Sequence, residues 1–493
     1  MIETRWVLIA GACVASALGG VLAAAPATSS GQAAPPPTSA KAATAAWVDA
    51  NAETFRRVNK NIWTYAETGL DEQKSSKELR DVLRGNGFAV EEGVAGMPTA
   101  FVASFGSGRP TIGILAEFDA LPGLSQDATP ERQERSGVGA GHGCGHSVFG
   151  TASTAAAIAV KQAIASGAVR GTVRLYGTPA EETGIGKTYM LRDGLFKDAD
   201  AILTWHAADE TTAGYAYSKA NVSVKFHFSG LPAHASASPS EGRSALDAVE
   251  LMDNGVNYMR EHVKEDARIH YVITNGGGQP NVVPPEAEVW YYIRANKHTD
   301  VEYYYGWIKE IAEGAAKMTR TKLSTVQVDA DMHEVIPNRT LSEVVHRNLT
   351  LVGPPKFTEE EKAFARRTQS ALRGPLDKAL ADDIVPLPER PGQGVASTDV
   401  GDISWFVPVG QMTVATYTYG APGHSWQIAA CTGTSIGEKG MLVAAKALAG
   451  SAVDLLTTPE ALVKAKADFD KMMAPLTFVT LIPDGQRAPK AIR

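Results

Sequence analysis

Four short segments of the chain concentrate residue types that bind divalent metals or move protons. They are residues 115–122 (LAEFDALP), 141–147 (GHGCGHS), 177–182 (GTPAEE) and 203–206 (LTWH). Thiolate, imidazole and carboxylate groups together suit borderline divalent ions such as Zn²⁺ and Mn²⁺. The glycines on either side of Cys144 let the backbone approach a bound ion closely. The four segments therefore predict a metal site.

The adjacent Glu181 and Glu182 indicate what chemistry such a site would perform. Two carboxylates in one apolar pocket cannot both be ionised without cost, so one is expected to face a cation and the other to share a proton with water. A metal lowers the pKa of water bound to it, and a neighbouring carboxylate can then accept the proton. The pattern therefore predicts metal-assisted hydrolysis of an amide bond.

Each of these segments also has a simpler explanation when it is taken alone. A single histidine at a strand end, such as His206, is more often a structural residue than a metal ligand. A Glu-Glu pair is usually solvated surface, and a Cys-x-His sequence by itself is a weak signal. The combination of all four segments, in order and at predicted strand or loop ends, favours a shared site.

The elements that must position these segments alternate between helix and strand. Apolar runs predict buried strands over 100–105, 111–116, 171–177 and 201–205, and an Ala-rich stretch almost without charge predicts a buried helix over 150–166. This alternation predicts an α/β fold, with a mostly parallel sheet covered by helices on both faces. Because ligands bind at the carboxyl ends of such strands, three of the segments should meet at one edge.

Residues 221–334 follow a different pattern from the rest of the chain. Strands are predicted over 222–228, 268–274, 288–294 and 323–328, and helices over 244–262 and 301–318. Polar and apolar residues alternate over 222–228, so this strand is expected to be half exposed. The order β-α-β-β-α-β is that of the ferredoxin-like unit, which is complete by itself. We therefore predict an inserted ferredoxin-like (α+β) domain at 221–334, within a catalytic domain formed by residues 46–220 and 335–493.

The N-terminus has the composition of an export signal. Arg5 precedes an apolar run from Trp6 to Ala25, and Ala25-Pro26-Ala27 offers small residues at the spacing of a cleavage site. We expect a secretory signal peptide at residues 1–27 and a disordered linker at 28–45. The protein would then be exported, periplasmic or secreted, without a stable membrane anchor. An uncleaved anchor is the alternative, because the apolar run is nearly long enough to span a bilayer.

Composition limits the remaining possibilities. With 493 residues, 44% of them apolar and 20% charged, the chain is typical of a soluble globular protein and too long for one ordinary core. The net charge of −7 and the absence of a basic cluster give no indication of a nucleic-acid partner. Cys13 lies in the predicted signal peptide, so Cys144 and Cys431 could form a disulfide in an oxidising compartment. The residues around Cys144 favour a metal ligand instead.

The same segments also carry a resemblance to a known family. The chain resembles the co-catalytic metallopeptidases that include carboxypeptidase G, aminoacylase, hippurate hydrolase and auxin-conjugate amidohydrolases, and in particular the branch of the B-type aminobenzoyl-glutamate hydrolase subunits. Besides the four segments above, the matching ones are 230–236 (GLPAHAS), 281–284 (NVVP), 397–402 (STDVGD) and 423–427 (GHSWQ). They run in family order and cover nearly all of the chain beyond the predicted linker.

The resemblance implies a zinc-peptidase-like fold that holds two divalent metal ions per subunit, Zn²⁺ or Mn²⁺, with Cys144 as the bridging ligand. The other ligands would be His146, Glu182, His206 and His424. Glu181 would be the general base that activates water and passes the proton to the leaving amine. Asp119 would orient one of the ligands, as carboxylates next to metal sites commonly do.

The resemblance further implies that the inserted domain mediates dimerisation, as a homodimer or as a heteromer with a related subunit. His234 would reach the active site of the partner subunit and stabilise the oxyanion. Asn281 and Arg294 would hold the carboxylate of the substrate, which would be a small amide or short peptide such as an N-acyl, aminobenzoyl or aminoacyl amino acid. Ser147 departs from the family pattern, which has Asp or Asn at this position. The difference concerns a contact with the residues that support the metal ligands and does not change a ligand itself.

Two other functions fit parts of the pattern. A cysteine-nucleophile hydrolase could use Cys144 and His146, although these residues are too close in sequence for a usual dyad. A non-catalytic or regulatory partner subunit that keeps the fold is the second alternative, because hydrolases of this branch work as paired related subunits. The complete set of ligand types favours a catalytic protein.

Overall fold

The computed structural model describes residues 37–490, so the predicted signal peptide and the first part of the predicted linker lie outside the described residues. The α-helices of this range are α1 (Pro37–Ala50), α2 (Ala52–Tyr65), α3 (Gln73–Gly85), α4 (His146–Ala165), α5 (Gly186–Arg192), α6 (Ala245–Met259), α7 (His298–Thr319), α8 (Arg339–Val352), α9 (Glu359–Gln369), α10 (Val400–Ser404), α11 (Trp426–Thr432), α12 (Ser435–Thr457) and α13 (Pro459–Met473).

The β-strands of the same range are β1 (Ala89–Glu92), β2 (Phe101–Ser107), β3 (Thr111–Ala116), β4 (Leu121–Pro122), β5 (Ala140–Gly141), β6 (Gly171–Gly177), β7 (Ala201–Ala208), β8 (Thr212–Gly214), β9 (Ala216–Tyr217), β10 (Ala220–Ser229), β11 (Arg268–Asn275), β12 (Glu286–Ala295), β13 (Lys322–Met332), β14 (Gly392–Gln393) and β15 (Val409–Ala415).

The large sheet has seven strands in the order β1-β2-β6-β3-β7-β15-β8. Its central strands β6, β3, β7 and β15 run parallel to one another. Strands β1 and β2 at one side and β8 at the other are antiparallel to their neighbours. Every residue of β3 is buried, as expected for a central parallel strand that is covered on both faces. The predicted fold class, a mostly parallel sheet with helices, is confirmed.

Helices α4 and α12 pack against each other and against the parallel strands. Both are long and apolar enough to cross a membrane by length and composition, but 78% and 83% of their most apolar stretches are buried inside the fold. They are therefore core helices, as the Ala-rich sequence of α4 predicts. The start of α4 is earlier than predicted, at His146 rather than at residue 150. The helix therefore begins within the candidate site.

The second sheet has four antiparallel strands in the order β11-β12-β10-β13. Helices α6 and α7 cover one of its faces. The chain order β10-α6-β11-β12-α7-β13 is the predicted β-α-β-β-α-β order, although the boundaries of an inserted domain stay a prediction. Strand β10, predicted to be half exposed, is almost entirely buried, because its second face also packs against protein, with Ser223 and Lys225 beside Thr183 and Ile185.

The predicted disordered linker at 28–45 is wrong for its last part, because α1 begins at Pro37. Ala40 and Thr44 are 2% exposed, and the Lys41 ammonium pairs with the Asp454 carboxylate of α12 at 2.9 Å. The small side chains that gave this stretch a linker-like composition let α1 lie close against α12. Composition alone cannot distinguish these two uses of small residues.

Candidate metal centre

The carboxyl edge of the parallel strands gathers the predicted metal ligands. Cys144 lies in the loop before α4, and His146 is the first residue of that helix. Glu182 lies in a short turn that follows β6. His206 lies in β7, which continues three residues further than predicted, and His424 lies in the loop before α11. Four separate strand or loop ends thus contribute to one region.

The side chains form two groups of three that share one member. In the first group, the ligand atoms of Cys144, His146 and His206 all lie within 4.8 Å of one another, and the same holds for Cys144, Glu182 and His424 in the second. The Sγ atom of Cys144 lies 3.5 Å from Nε2 of His206, and Nε2 of His424 lies 3.1 Å from Oε2 of Glu182. All five predicted ligands therefore come together around Cys144.

These residues fit a pair of divalent metal ions. Nε2 of His146 and Oε1 of Glu182 are buried, and neither has a hydrogen-bond partner among residues 37–490. An unpaired buried polar atom costs about 1–3 kcal/mol, and coordination of an ion by these atoms would remove that cost. One thiol, one carboxylate and three imidazoles are a donor set suited to Zn²⁺ or Mn²⁺.

The surroundings of Cys144 favour its thiolate form, which is the form that binds metals. Burial opposes ionisation, but the charges of His206 and His146 lower the pKa of the Cys144 thiol well below its usual range. Burial raises the pKa of Cys431 to about 11. Both cysteines are free. The disulfide considered as an alternative is therefore wrong.

Asp119 links two of the ligand-bearing segments from behind. Its Oδ1 atom lies 2.8 Å from Nδ1 of His146, and its Oδ2 atom accepts a hydrogen bond from the backbone N–H of Glu182 at 3.0 Å. Because Nδ1 of His146 is engaged by the carboxylate, Nε2 is the ring nitrogen left to face the other ligands. This is the arrangement expected of a carboxylate that orients a metal-binding histidine.

Glu181 lies beside the candidate ligands and lines a cavity that opens at them. Its Oε2 atom is 3.9 Å from Nε2 of His146. Burial, together with the nearby charge of Glu117, raises the pKa of Glu181 well above its usual range. A carboxyl group with a raised pKa can hold and release a proton nearer to neutral pH, which is the property required of a general base.

A buried charged cluster of Lys187, Glu117 and Asp399 lies next to Glu181. None of these three residues was predicted from the sequence as a site residue. The Lys187 ammonium lies 2.7 Å from Glu117 Oε1 and 2.6 Å from Asp399 Oδ1. Burial opposes its charge, but Asp399 and Glu117 raise the pKa of Lys187 above its usual range. The other oxygen of Glu117 is 3.3 Å from Nε2 of His146. Glu117 and Asp399 lie in segments that carry the family resemblance, and this resemblance could have indicated them as site residues. For Lys187 the sequence offered no such indication, only a predicted helix.

A cavity of about 510 Å³ opens at the candidate ligands. Two of its lining residues, Asn221 and Arg294, are cross-strand neighbours on β10 and β12 of the second sheet. Apart from the histidines, Arg294 is the one cationic side chain among the described residues that line the cavity. Both polar side-chain atoms of Asn221 and the Nε atom of Arg294 are buried, and none of them has a hydrogen-bond partner within the described range 37–490. Asn221 was not predicted from the sequence, and its unpaired amide leaves hydrogen-bonding capacity for a polar ligand.

Comparison with known proteins gives the family. The sequence profile of the Peptidase family M20/M25/M40 matches residues 113–487. The chain belongs to this family. This M20 hydrolase is 42% identical over 436 residues to the B-type p-aminobenzoyl-glutamate hydrolase subunit of Escherichia coli (strain K12), an alignment that covers 83% of this chain and 90% of that protein. It is 28% identical over 447 residues to the Xaa-Arg dipeptidase of Mus musculus, covering 87% of this chain and 92% of that protein.

The fold of the M20 hydrolase also has a solved counterpart. A dinuclear metal-binding peptidase of the M20 family from Bacillus subtilis superposes with a TM-score of 0.54 at 18% identity, over 83% of this chain and 99% of that one. The predicted family resemblance is confirmed. The chain is accordingly a hydrolase of amide or peptide bonds.

His234 and Asn281 of the M20 hydrolase are not among the residues that line the cavity. They lie next to each other on the surface: His234 bridges with Val282, and the backbone N–H of Ala235 donates to the carbonyl of Asn281 at 2.9 Å. Both side chains are at least partly exposed. Within one chain, therefore, the structure brings Arg294 to the candidate metal centre but not these two residues.

Ser147 stands where the family pattern has Asp or Asn. The residue is fully buried in α4, and its hydroxyl has no partner in the described part of the chain. The Ser147 side chain therefore makes no hydrogen bond to a candidate ligand within residues 37–490.

Proposed function

We propose that this M20 hydrolase cleaves the amide bond of an N-acyl, aminobenzoyl or aminoacyl amino acid that carries a free carboxylate, with two divalent metal ions and Glu181 as general base. The observation that carries the proposal is the convergence of the five ligand candidates, four of which line a cavity that also holds Glu181 and Arg294. Such a cavity is of the size that small-molecule sites usually have.

The metal ions would be held by Cys144, His146, Glu182, His206 and His424. Zn²⁺ and Mn²⁺ both accept this donor set. Divalent ions bound there supply electrophilic activation of water and of the amide carbonyl. Asp119 keeps one imidazole oriented for its ligand role, and the Glu182 backbone is held by the same carboxylate.

Glu181 would move the proton. Its carboxylate accepts a proton from the attacking water and then donates it to the nitrogen of the leaving amine, so no net proton is consumed by the residue. The raised pKa supports this role, because a general base is most effective when its pKa lies near the working pH. The charged Lys187, paired with Glu117 and Asp399 beside it, holds this region in place through buried ion pairs.

The substrate is inferred to be acidic. A guanidinium can bind a carboxylate through two parallel hydrogen bonds, and Arg294 with its unpaired Nε is available for this. The related hydrolase from E. coli is named for p-aminobenzoyl-glutamate, and the mouse relative for a dipeptide that ends in arginine. A basic substrate side chain would need a free acid, but the lining acids are Glu181, Glu182 and Glu117, which the proposal already uses or which pair with Lys187.

A dimer would complete the site through His234. Its Nδ1 atom accepts hydrogen bonds from the backbone N–H groups of Ser236 and Ala237, at 3.2 and 3.1 Å. The proton of the neutral ring is therefore on Nε2, which makes His234 a hydrogen-bond donor at a surface turn. Such a donor suits the stabilisation of an oxyanion, and a partner subunit would bring it to the cavity.

The second sheet offers the surface for that partner. Strand β11 lies at the edge of the sheet, and its Val272 and Ile273 are 59% and 43% exposed. An unpaired edge strand with exposed apolar residues tends to associate with another chain. The partner would be a second copy or a related subunit, since the E. coli relative is named as one subunit of its enzyme.

The E. coli relative is named as one subunit of a hydrolase, and this name supports a second candidate function. The chain would then be a non-catalytic partner subunit that keeps the fold. The two candidates differ in whether the isolated chain turns over substrate when it is loaded with metal. The complete ligand set and the unpaired atoms that face it favour the catalytic function.

Export is a separate proposal, supported by the composition of residues 1–27. Mass spectrometry of the mature protein from a producing cell should find an N-terminus close to residue 28. A mature protein that still begins at residue 1 would contradict cleavage.

Metal content and turnover measured on the same preparations test the proposed function. We expect two metal ions per chain, and hydrolysis of p-aminobenzoyl-glutamate or an N-acyl glutamate in preference to the α-amide of the same compound and to an Xaa-Arg dipeptide. Metal binding without turnover of any of these compounds would favour the non-catalytic subunit. Full activity after removal of the metal would refute the metal-dependent mechanism.

A further inference from the structure

The turn that presents the two glutamates has a backbone conformation that its sequence does not favour. Ala180 lies in the left-handed region, with φ 54° and ψ 41°. This region costs a residue with a side chain about 1–2 kcal/mol. Ala180 directly precedes Glu181, so its φ and ψ determine the direction in which the Glu181 side chain leaves the end of β6.

A buried carboxyl group outside the cavity holds this residue. Glu72, just before α3, is 0% exposed. One of its oxygens accepts a hydrogen bond from the backbone N–H of Ala180 at 2.8 Å, and the other accepts one from the Thr99 hydroxyl at 2.9 Å. Glu72 is 108 residues away from Ala180 along the chain.

The burial of Glu72 is costly by itself. None of the ion pairs found between residues 37 and 490 includes it, and burial together with the charge of Asp119 raises the pKa of Glu72 to about 8. A buried carboxyl group without a cation reduces stability unless hydrogen bonds compensate it. A neutral residue of the same shape would make the same bond to Ala180 without that cost, which makes glutamine a close mimic.

Ala180 is fixed on both sides of its Cα atom. Its carbonyl accepts hydrogen bonds from the Ile185 backbone N–H at 3.2 Å and from the Thr183 hydroxyl at 3.2 Å. These contacts orient the carbonyl and therefore ψ. The bond to Glu72 orients the N–H and therefore φ. Strained conformations of this kind persist only where the surroundings over-determine them, and they are frequent at active sites.

We propose that Glu72 is a positioning residue for the general base: by holding the N–H of Ala180, it maintains the left-handed turn that places Glu181 beside the candidate metal centre. The inference rests on the role of Glu181 in the proposed function. Glu72 does not line the cavity, so it acts through the backbone and not by touching substrate.

Three single variants separate this role from a general contribution to folding. Glu72→Ala removes the acceptor of the Ala180 N–H, and a displacement of about 1 Å in a catalytic group can cost as much as ~100-fold in rate. We expect kcat for p-aminobenzoyl-glutamate to fall at least ~10-fold, with KM within about twofold of wild type and the metal content unchanged. Glu72→Gln keeps an acceptor for Ala180 and should retain at least about half of kcat.

Ser76→Ala is the matched control. Ser76 is as buried as Glu72, lies in α3, and donates its hydroxyl to the Thr99 carbonyl at 2.7 Å. Its removal should lower the free energy of unfolding measurably without changing kcat, because it leaves the bond between Glu72 and Ala180 in place. Equal loss of kcat in Ser76→Ala and Glu72→Ala would overturn the proposal.

A rescue variant tests the mechanism directly. Glycine adopts positive φ without a steric penalty, so Ala180→Gly in the background of Glu72→Ala should raise kcat about threefold or more above that of Glu72→Ala alone, because it removes the strain of the left-handed turn. A loss of activity that has another cause, such as repacking of α3, would not respond to this substitution. Absence of any rescue would therefore count against the proposal.

The failure of the proposed function would be recognised separately. If the wild-type protein hydrolyses none of the tested amides, the role of Glu181 is wrong, and the positioning effect is then measured in crystal structures of Glu72→Ala and Glu72→Gln. We expect Ala180 to leave the left-handed region in the first variant and to keep it in the second. An unchanged turn in Glu72→Ala would refute the positioning role whatever the activity.

Discussion

Replacing Lys187 with methionine removes the cation that pairs with Glu117 and Asp399 in the buried charged cluster. The ammonium lies 2.7 and 2.6 Å from their oxygens, and all three side chains are at most 1% exposed. Methionine is similar in length but carries no charge, so two carboxylates stay buried without their partner. Breaking a buried ion pair from one side costs about 3–5 kcal/mol. We expect Lys187→Met to lower the free energy of unfolding at pH 8 by this amount.

The loss should depend on pH in a defined direction. Burial, against the opposing charge of Lys187, raises the pKa of Asp399 from 3.8 to about 6 in the folded protein. A carboxyl group whose pKa is raised in the folded protein destabilises the fold when it is ionised. This penalty disappears at low pH, where the group is protonated in both the folded and the unfolded state. Removal of Lys187 increases the penalty. Without Lys187 the pKa of Asp399 rises further, so the added penalty exists only above about pH 6, where Asp399 of the folded wild type is ionised. The difference between wild type and Lys187→Met should therefore be largest at pH 8 and shrink as the pH falls toward about 6.

Urea denaturation followed by tryptophan fluorescence, in buffers from mildly alkaline to mildly acidic pH, measures this difference. Lys466→Met is the matched control, because Lys466 pairs with Asp470 on the surface of α13 with both side chains more than half exposed, and such pairs contribute less than about 1 kcal/mol. The double variant Lys187→Met/Asp399→Asn should recover part of the loss, since one uncompensated charge is removed. A loss below about 1 kcal/mol at alkaline pH, or one that grows as the pH falls, would contradict the assignment of Lys187 as the charge that holds this cluster.

Four further outcomes test the proposed site. Glu181→Gln should keep its metal content by elemental analysis while turnover falls at least ~10²-fold, the usual contribution of a positioned acid-base group; near-normal turnover would place the base elsewhere. Arg294→Ala should raise KM for N-acyl glutamates about 10- to 100-fold, the equivalent of about 1.5–3 kcal/mol for hydrogen bonds to a charged group, and should change KM for the α-amide much less in the same steady-state assay. His234→Ala and Glu181→Gln should each be inactive alone and regain activity when mixed, because a hybrid dimer has one site with both residues intact; verified subunit exchange without activity would exclude the role of His234 in the partner's site. Treatment with a chelator should abolish turnover, and Zn²⁺ or Mn²⁺ should restore it, whereas an unaffected rate would point to catalysis without metal.

Several elements of the fold follow from local sequence. The apolar runs at 111–116 and 171–177 predict strands with the observed bounds of β3 and β6. The Ala-rich helix α4 is buried as its composition indicates, but it starts four residues earlier than predicted. The reason is that Gly145, with φ 85°, ends the preceding loop, and burial of His146 and Ser147 among the site residues overrides their weak helix preference.

Other elements depend on which surface covers them. The stretch 37–45 has the small-residue composition of a linker, yet it packs as helix α1 against α12. Strand β10 carries polar residues on the face that was predicted to be exposed, and that face is buried against the rest of the protein. Periodicity in a sequence reports on local geometry, but it cannot show whether a polar face meets water or another polar surface.

The sequence by itself determined the chemical types of the candidate centre and their order: a cysteine and a histidine two residues apart, a glutamate pair and His206, each at a predicted strand or loop end. His424 was indicated by the family resemblance alone. The sequence also determined that a parallel sheet would bring most of these residues to one edge. Only the tertiary structure decided which atoms face one another. Glu72 meets Ala180 across 108 residues, and Lys187 meets Asp399 across 212. Such pairings arise when packing closes long loops and forces buried charges and backbone donors to find partners, and no local pattern in the sequence records them.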